Sequence, residues 1–289
     1  MTKKMGTGSF IEELQEKAIE LFKQGKVNII IGYEATSNGF TTPCFVEKEE
    51  DVKKLIFNEF CVYNLSNYLN EIKNKVGIVA KGCDVKSIIG LIQENQIKRE
   101  DVVIIGVECD KQLSADKKVL EKCKDCKVHT PKMYDILIAG KEQSKGSEKA
   151  VDIYSDIKEL ESKPVEERLN YWQEQFSKCV KCYACRQVCP MCYCKECIVE
   201  QNMPQFIQQS VSLKGNTMWN IVRAYHLAGR CIGCGECERV CPVNIPLSKL
   251  SKKLALEVKD LFGYVAGESF EVKPPLDDFK EKDPEEFIM

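Results

Sequence analysis

The stretch VGIVAKGCDVKSIIGLIQENQIKREDVVIIGV (residues 76–107) contains two apolar runs separated by a segment with helical spacing. The runs at 75–80 and 101–107 are short and almost continuously apolar, as in strands that are buried on both faces. Between them, residues 84–97 repeat apolar side chains at helical intervals. Strand, helix and strand in this order predict parallel strands in a sheet that is covered on both faces.

The same pattern continues towards the N-terminus. Residues 26–33 form a third apolar run, and residues 10–24 place apolar side chains on one helical face. We therefore predict an α/β domain with a mostly parallel sheet, followed by a mainly helical domain and an extended tail. The predicted parts are an α/β domain at 1–145, a linker and helix at 146–177, a helical domain at 178–263 and a tail at 264–289.

The second domain is predicted to be helical between its cysteine motifs. Residues 141–163 are highly charged and read as a linker, whereas three later segments have helical patterns: 164–176, 217–229 and 245–263. The tail from residue 264 contains prolines and many acidic residues. Two interpretations of it remain open: a disordered tail, or a strap that orders against a partner subunit.

Composition excludes several classes of function. Hydrophobic residues make up 44% of the 289-residue chain and charged residues 30%, as in soluble globular proteins. The net charge of −2 gives no field that would attract nucleic acid or an acidic membrane. No apolar run approaches the roughly 20 residues of a membrane span, and the N-terminus has no apolar signal core. We expect a cytoplasmic protein.

Cysteines are the main chemical clue. The chain has 17 of them and only two histidines, His129 and His226, which we expect to be structural. Because cytoplasmic thiols stay reduced, so many cysteines indicate metal or redox chemistry rather than disulfides. Thiolates with few imidazoles favour iron–sulfur clusters or structural zinc.

Two copies of the spacing C-x2-C-x2-C-x3-C, each followed by proline, predict two 4Fe–4S clusters. In such pairs three close thiolates bind one cluster, and the fourth cysteine reaches the other cluster. We therefore assign the ligands crosswise. The cluster 1 site comprises Cys179, Cys182, Cys185 and Cys241, and the cluster 2 site comprises Cys231, Cys234, Cys237 and Cys189.

A pair of zinc sites is the alternative, although zinc ribbons usually need only CxxC pairs. The partly helical connection between the motifs and the stretch RCIGCGECERVCPVNIPL (230–247) resemble alpha-helical dicluster ferredoxin domains of respiratory and heterodisulfide-reductase-like subunits. Lys181 and Arg230 lie beside ligand positions, where a positive charge would offset the negative charge of a cluster. We expect these two residues to tune the cluster potentials.

Four further cysteines predict a third centre in the α/β domain. Cys83 and Cys109 each follow a predicted strand, at the edge of a parallel sheet that usually carries ligands. Cys123 and Cys126 form a CxxC pair. A third 4Fe–4S cluster is our preferred interpretation, with structural zinc or unligated thiols as alternatives. Cys44 and Cys61 are expected to behave as small, half-buried hydrophobic residues.

Cys192, Cys194 and Cys197 are surplus to the motifs. Three interpretations remain open: ligands of a further metal centre, a redox-active disulfide, or unligated thiols in a tight turn. A complete local cubane would need four close thiols, and this trio supplies three.

The segment VGIVAKGCDVKSIIGLIQENQIKREDVVIIGVECD (76–110), with CKDC and YDILIAG after it, resembles the beta subunits of coenzyme F420-reducing hydrogenases and related dehydrogenases. The resemblance covers about residues 26–140. It implies a 4Fe–4S cluster close to a flavin, with FAD as cofactor and F420 as a substrate to consider. No GxGxxG fingerprint is present, and the dicluster motifs follow the α/β region, so we do not expect F420 as the substrate.

These patterns predict an iron–sulfur electron-transfer subunit of a cytoplasmic oxidoreductase complex in anaerobic metabolism, without catalytic residues of its own. By resemblance, its partners would be a hydrogenase, formate dehydrogenase, heterodisulfide-reductase-like or flavin-dependent NAD(P)H module, and soluble ferredoxin. Three cubanes would bring about twelve irons per chain. The alternatives are an FAD-dependent oxidoreductase with its active site in the α/β domain, and a zinc-stabilised scaffold.

Overall fold

The computed structural model describes residues 7–139 and 152–277, with the side chains of 7–9 left aside. The chain divides into two compact units, Met1–Val151 and Asp152–Met289.

The first unit is an α/β domain built on a five-stranded sheet in the order β2-β1-β3-β4-β5. Strands β1, β3, β4 and β5 are parallel, and β2 pairs antiparallel with β1 at one edge. The predicted mostly parallel sheet is thus confirmed. Its elements are α1 (Thr7–Lys23), β1 (Ile29–Ala35), β2 (Thr41–Val46), β3 (Val76–Ala80), α2 (Gly82–Gln93), β4 (Val102–Val107), α3 (Glu121–Lys124) and β5 (Ile136–Ile138), with short 3-10 helices at Glu49–Lys54, Leu65–Glu71 and Arg99–Asp101.

Apolar side chains fill both faces of this sheet. Helix α1 buries Leu14 and Leu21 against one face, where they share a core with Ile105 of β4. Helix α2 buries Ile88 against the other face, in a second core that contains Ile104. Neighbouring residues of a strand point to opposite faces, which explains why the strands are almost continuously apolar.

The second unit is helical, as predicted. Its helices are α4 (Ser155–Glu161), α5 (Val165–Ser177), α6 (Ala184–Gln187), α7 (Leu213–His226), α8 (Glu236–Arg239) and α9 (Leu247–Phe262). Within 152–277 no strand is present. The short helices α6 and α8 each lie inside one cysteine motif, and the longer helices surround those motifs.

Part of the predicted linker is helical. Helix α4 lies within the predicted linker, with Ile157 and Leu160 buried; the rest of that linker, at 140–151, lies outside the described residues. Lys253 of α9 forms an ion pair with Glu161 of α4 at 3.0 Å. The mostly polar sequence of α4 gave no indication of its two buried apolar residues or of this ion pair.

The start of the predicted tail packs on its own unit. Tyr264 and Ala266 are buried with Ile232, next to Cys234. Residues 264–277 contain no helix or strand, and residues 278–289 lie outside the described part of the chain. Among the helices that the structure describes, none is both long and apolar enough to cross a membrane.

Candidate iron–sulfur centres

The two cysteine motifs of the second unit follow the same backbone course. In the first motif the Arg186 amide donates to the Tyr183 carbonyl at 2.9 Å, and in the second Glu238 donates to Gly235 at 3.2 Å. The later backbone bonds also correspond. The Cys192 amide donates to the Cys189 carbonyl at 3.0 Å, and in the second motif the Asn244 amide donates to the Cys241 carbonyl at 3.2 Å. Residues 179–192 and 231–244 are therefore two copies of one structural module.

Left-handed residues occupy matching places in both copies. Gly233 and Gly235 have φ of 71° and 67°, and the corresponding Lys181 and Tyr183 have φ of 52° and 56°. A side chain in this conformation costs roughly 1–2 kcal/mol, so the first copy carries strain that the second avoids by glycine. The Tyr183 ring packs edge-on against Trp219, with 5.0 Å between ring centroids. This contact offsets part of the cost at Tyr183.

The structure brings together the four cysteines of the predicted cluster 1 site. Cys179, Cys182, Cys185 and Cys241 line one cavity. Its other walls are mainly apolar and include Val180, Tyr183, Trp219, Pro242, Val243, Ile245 and Leu247. Thus the last cysteine of the second motif faces the first triad. Thiols around an apolar cavity form a donor set that fits a cubane.

The pKa of Cys185 reflects the closeness of the other three thiols of this site. Burial raises the pKa of Cys185 to about 11, the Arg223 guanidinium opposes that shift, and the thiols of Cys179, Cys182 and Cys241 add to it. Cys182 is exposed, whereas Cys179 and Cys185 are buried. The cluster 1 site therefore reaches solvent on the Cys182 side.

Cys189 lies among the thiols of the second triad. Burial raises the pKa of Cys231 and Cys234, and the nearby Cys189 contributes to both shifts. Burial also raises the pKa of Cys237, where Cys189 and Cys231 again contribute. The fourth cysteine of the first motif is thus close to all three cysteines of the second, which is the arrangement predicted for the cluster 2 site.

Helix α7 holds the first motif through a row of buried polar side chains. Asn216 Nδ2 donates to the carbonyl of Cys179 at 2.8 Å, and Arg223 Nη2 donates to the carbonyl of Cys185 at 2.9 Å. Asn220 lies between them on the same face, lines the cavity and donates to the Asn216 carbonyl at 2.8 Å. These bonds fix both ends of the loop that carries the first triad.

Sequence reasoning missed Asn216, Asn220 and Arg223, because helical spacing of apolar residues dominated the pattern of α7. The only available signal was that these polar residues fall on one helical face with Trp219. Lys181 and Arg230 are the two cations expected to tune the cluster potentials. Lys181 is buried beside Cys179 and donates to the Gln208 carbonyl. Arg230 instead packs over the Tyr193 ring, 5.8 Å from its centroid.

The three surplus cysteines have different surroundings. The Cys192 amide donates to the Cys189 carbonyl at 3.0 Å, and its thiol lies near Cys189 and Arg223, beside the cluster 2 site. Cys197 packs in the apolar cluster that contains Cys179, and its amide donates to Glu200 at 3.3 Å. Cys194 is exposed.

The four cysteines of the first unit lie around the carboxyl ends of β3 and β4. Cys83 is in the first turn of α2, and Cys109 follows β4, where its amide donates to the His129 carbonyl at 2.9 Å. Burial raises the pKa of Cys109 to about 11, with Cys123 among the smaller contributors. Burial likewise raises the pKa of Cys83, and Cys109 contributes. Cys126 neighbours Cys123.

A buried ion pair supports this edge of the sheet. Lys81 Nζ lies 3.0 Å from Asp84 Oδ2, with the two side chains 2% and 0% exposed. Lys81 also donates to the Tyr63 carbonyl at 2.8 Å and to the Tyr33 hydroxyl. Its charge is close enough to affect the thiols of Cys83 and Cys109. A fixed cation therefore accompanies the third candidate centre.

The remaining sequence expectations concern single residues. Cys44 and Cys61 are more deeply buried than expected, at 6% and 0% exposure, and belong to the two sheet cores. His129 Nδ1 lies 3.0 Å from the Cys109 carbonyl, while His226 is exposed at the end of α7. Across 7–139 and 152–277, no three Cys, His, Asp or Glu side chains have the close spacing of a single-ion site.

Residues 175–245 match the family described as 4Fe–4S dicluster domain. The chain is 24% identical to the F420-dependent formate dehydrogenase subunit beta of Methanocaldococcus jannaschii over 292 aligned positions, covering 70% of this chain and 76% of that protein. It is 32% identical to the F420-dependent formate dehydrogenase 1 subunit beta of Methanococcus maripaludis over 105 residues, covering 36% of this chain and 26% of that protein. The chain is a homologue of these beta subunits with a dicluster domain, as the sequence resemblances predicted.

Proposed function

We propose that the protein is the iron–sulfur electron-transfer subunit of a cytoplasmic oxidoreductase complex, with crossed ligation of two 4Fe–4S clusters in its second unit. The observation that carries this proposal is the cavity shared by Cys179, Cys182, Cys185 and Cys241. A cysteine from the second motif would have no reason to face the first triad in two separate four-cysteine sites. The bound clusters would supply one-electron carriers.

A third 4Fe–4S cluster in the first unit would extend the relay. Cys83 and Cys109 follow adjacent parallel strands, and Cys123 and Cys126 are close to them. The buried Lys81 ammonium would offset the negative charge of a four-thiolate cluster there. Both relatives are named as formate dehydrogenase beta subunits, which supports a formate dehydrogenase module as the partner of this chain.

Iron content of paired cysteine variants tests the crossed ligation. Anaerobically purified wild-type protein should contain about twelve irons per chain, and losing one cluster removes about four. We expect Cys182→Ala/Cys241→Ala to lose about four irons, since both residues serve one cluster. Cys234→Ala/Cys241→Ala should lose about eight. The reverse order of these two losses would mean that each motif holds its own cluster.

Cys44→Ala is the matched control for this series, because Cys44 is a buried cysteine in a sheet core, apart from the candidate centres. It should retain wild-type iron and the spectroscopic signals of all cubanes. A wild-type protein that contains stoichiometric zinc and no cubane signal on reduction would refute the proposed function as a whole.

A second candidate function is an FAD-dependent oxidoreductase whose active site lies in the first unit. The names of the two relatives favour testing it, since both are called F420-dependent. Flavin released by denaturation of the anaerobic protein separates the two functions. Stoichiometric FAD together with turnover of F420 by the isolated chain would establish an enzyme in its own right, and absence of flavin would support an electron carrier.

A further inference from the structure

Arg223 is a buried cation among the thiols of both motifs. Arg223 is only 6% exposed and lies on the buried face of α7. One guanidinium nitrogen donates to the Cys185 carbonyl at 2.9 Å, which belongs to the first triad. The thiols of Cys189 and Cys237, both of the cluster 2 site, are its strongest electrostatic neighbours. The guanidinium thus contacts the first motif and lies near thiols of the cluster 2 site.

The charge of Arg223 has thiols as its main electrostatic neighbours. Burial opposes ionisation, but the thiols of Cys189, Cys237, Cys192 and Cys185 hold the pKa of Arg223 above its usual range. Nε is buried, and within 7–139 and 152–277 it has no hydrogen-bond partner. A buried donor without a partner costs free energy, and a loaded centre beside Arg223 would supply an acceptor for it. Sulfur atoms of a cluster are such acceptors.

We propose that Arg223 is a positioning residue shared by the two clusters of the dicluster domain, and that it raises both of their reduction potentials. This inference rests on the proposed function. Reduction adds one negative charge to a cluster that is already anionic, and a fixed cation stabilises the reduced form more than the oxidised form.

Redox titration of the full chain, followed by electron paramagnetic resonance, tests this role. Arg223→Met removes the charge but keeps an unbranched side chain, and Arg223→Lys keeps the charge without the planar fork. Arg168→Met is the control, because Arg168 is a guanidinium of the same unit whose ion pair is with Glu161 at 3.2 Å. At a fixed potential, we expect Arg223→Met to lower the reduced-to-oxidised ratio of both clusters at least about tenfold, equivalent to about 59 mV for one electron.

The expected order is that Arg223→Lys shifts both clusters less than Arg223→Met and that Arg168→Met shifts neither. Unchanged potentials in a fully loaded Arg223→Met protein would overturn the proposal, as would a shift confined to one cluster. If Arg223→Met does not retain iron, Arg223→Lys decides. Loss of iron there too, or a tenfold shift despite the retained charge, would assign Arg223 to loop anchoring alone. Wild-type protein without cubane signals would instead refute the proposed function.

Discussion

Removing one partner of the buried Lys81–Asp84 pair should strongly destabilise the first unit. Lys81 is 1% exposed and Asp84 is fully buried. Besides the ion pair at 3.0 Å, Asp84 accepts the backbone amide of Lys81 at 2.9 Å and so caps α2. Lys81→Met therefore leaves a carboxylate without a charge partner in an apolar environment, and Asp84→Asn leaves a buried ammonium in the same position.

The magnitude follows from the burial. Breaking a buried pair by removing one partner costs about 3–5 kcal/mol, because the other charge stays buried. Lys81→Met/Asp84→Asn removes both charges and keeps an amide oxygen that can accept the Lys81 backbone N–H. We expect the double variant to be more stable than the sum of the single effects by about 2–3 kcal/mol, at the upper end of measured couplings.

Hydrogen exchange of the holo protein measures this effect locally, without assuming two-state unfolding of a chain with clusters. The loss of about 3 kcal/mol would speed exchange of β3 and α2 amides by roughly a hundredfold, at 1.36 kcal/mol per factor of ten. Asp51 and Lys54 provide the control, since they form an i,i+3 pair at 2.7 Å that is exposed. Equal effects of Lys81→Met and Lys54→Met would refute the argument.

Three further substitutions test the local geometry. Gly82→Ala would drive its methyl into the Val128 carbonyl beside Cys83, so the first unit should lose about four irons; unchanged iron would contradict this. The added methyl of Gly233→Ala meets no atom within 4 Å, but the backbone has φ 71°, so we expect backbone strain alone, with a loss of about 1 kcal/mol. The rate of iron loss to a chelator measures this, and a larger loss would contradict it. Asn216→Ala removes the bond to the Cys179 carbonyl and should cost about 1–3 kcal/mol, seen as faster iron loss to a chelator than in Asn202→Ala.

Much of the α/β unit could be predicted from its apolar runs, because strands buried on both faces need continuous apolar sequence. Strand β2 was not predicted, since its sequence TTPCFV contains a proline. An edge strand tolerates proline, because one side of its backbone needs no partner in the sheet. Pro43 is therefore compatible with the observed antiparallel pairing to Tyr33.

In the second unit, the crossed assignment of thiols is a prediction from spacing alone, because three ligands of a cubane come from one loop. The supporting cation was not predictable in this way. Arg223 lies on α7, far in sequence from the Cys185 and Cys189 that lie near it, and only the packing of α7 on the first motif reveals it. The duplicated backbone course was visible in the cysteine spacing, but not the left-handed conformation of Lys181 and Tyr183.

The crossed arrangement has a consequence for damage by oxygen. Loaded as proposed, cluster 2 closes an inner loop between Cys189 and Cys231, and cluster 1 closes a longer loop around it, between Cys185 and Cys241. The outer cluster is the one with an exposed ligand, Cys182. An oxidant that reaches Cys182 would destroy cluster 1, while cluster 2 would still link the two cysteine motifs. The unit would thus retain a nucleus from which repair can rebuild the outer cluster.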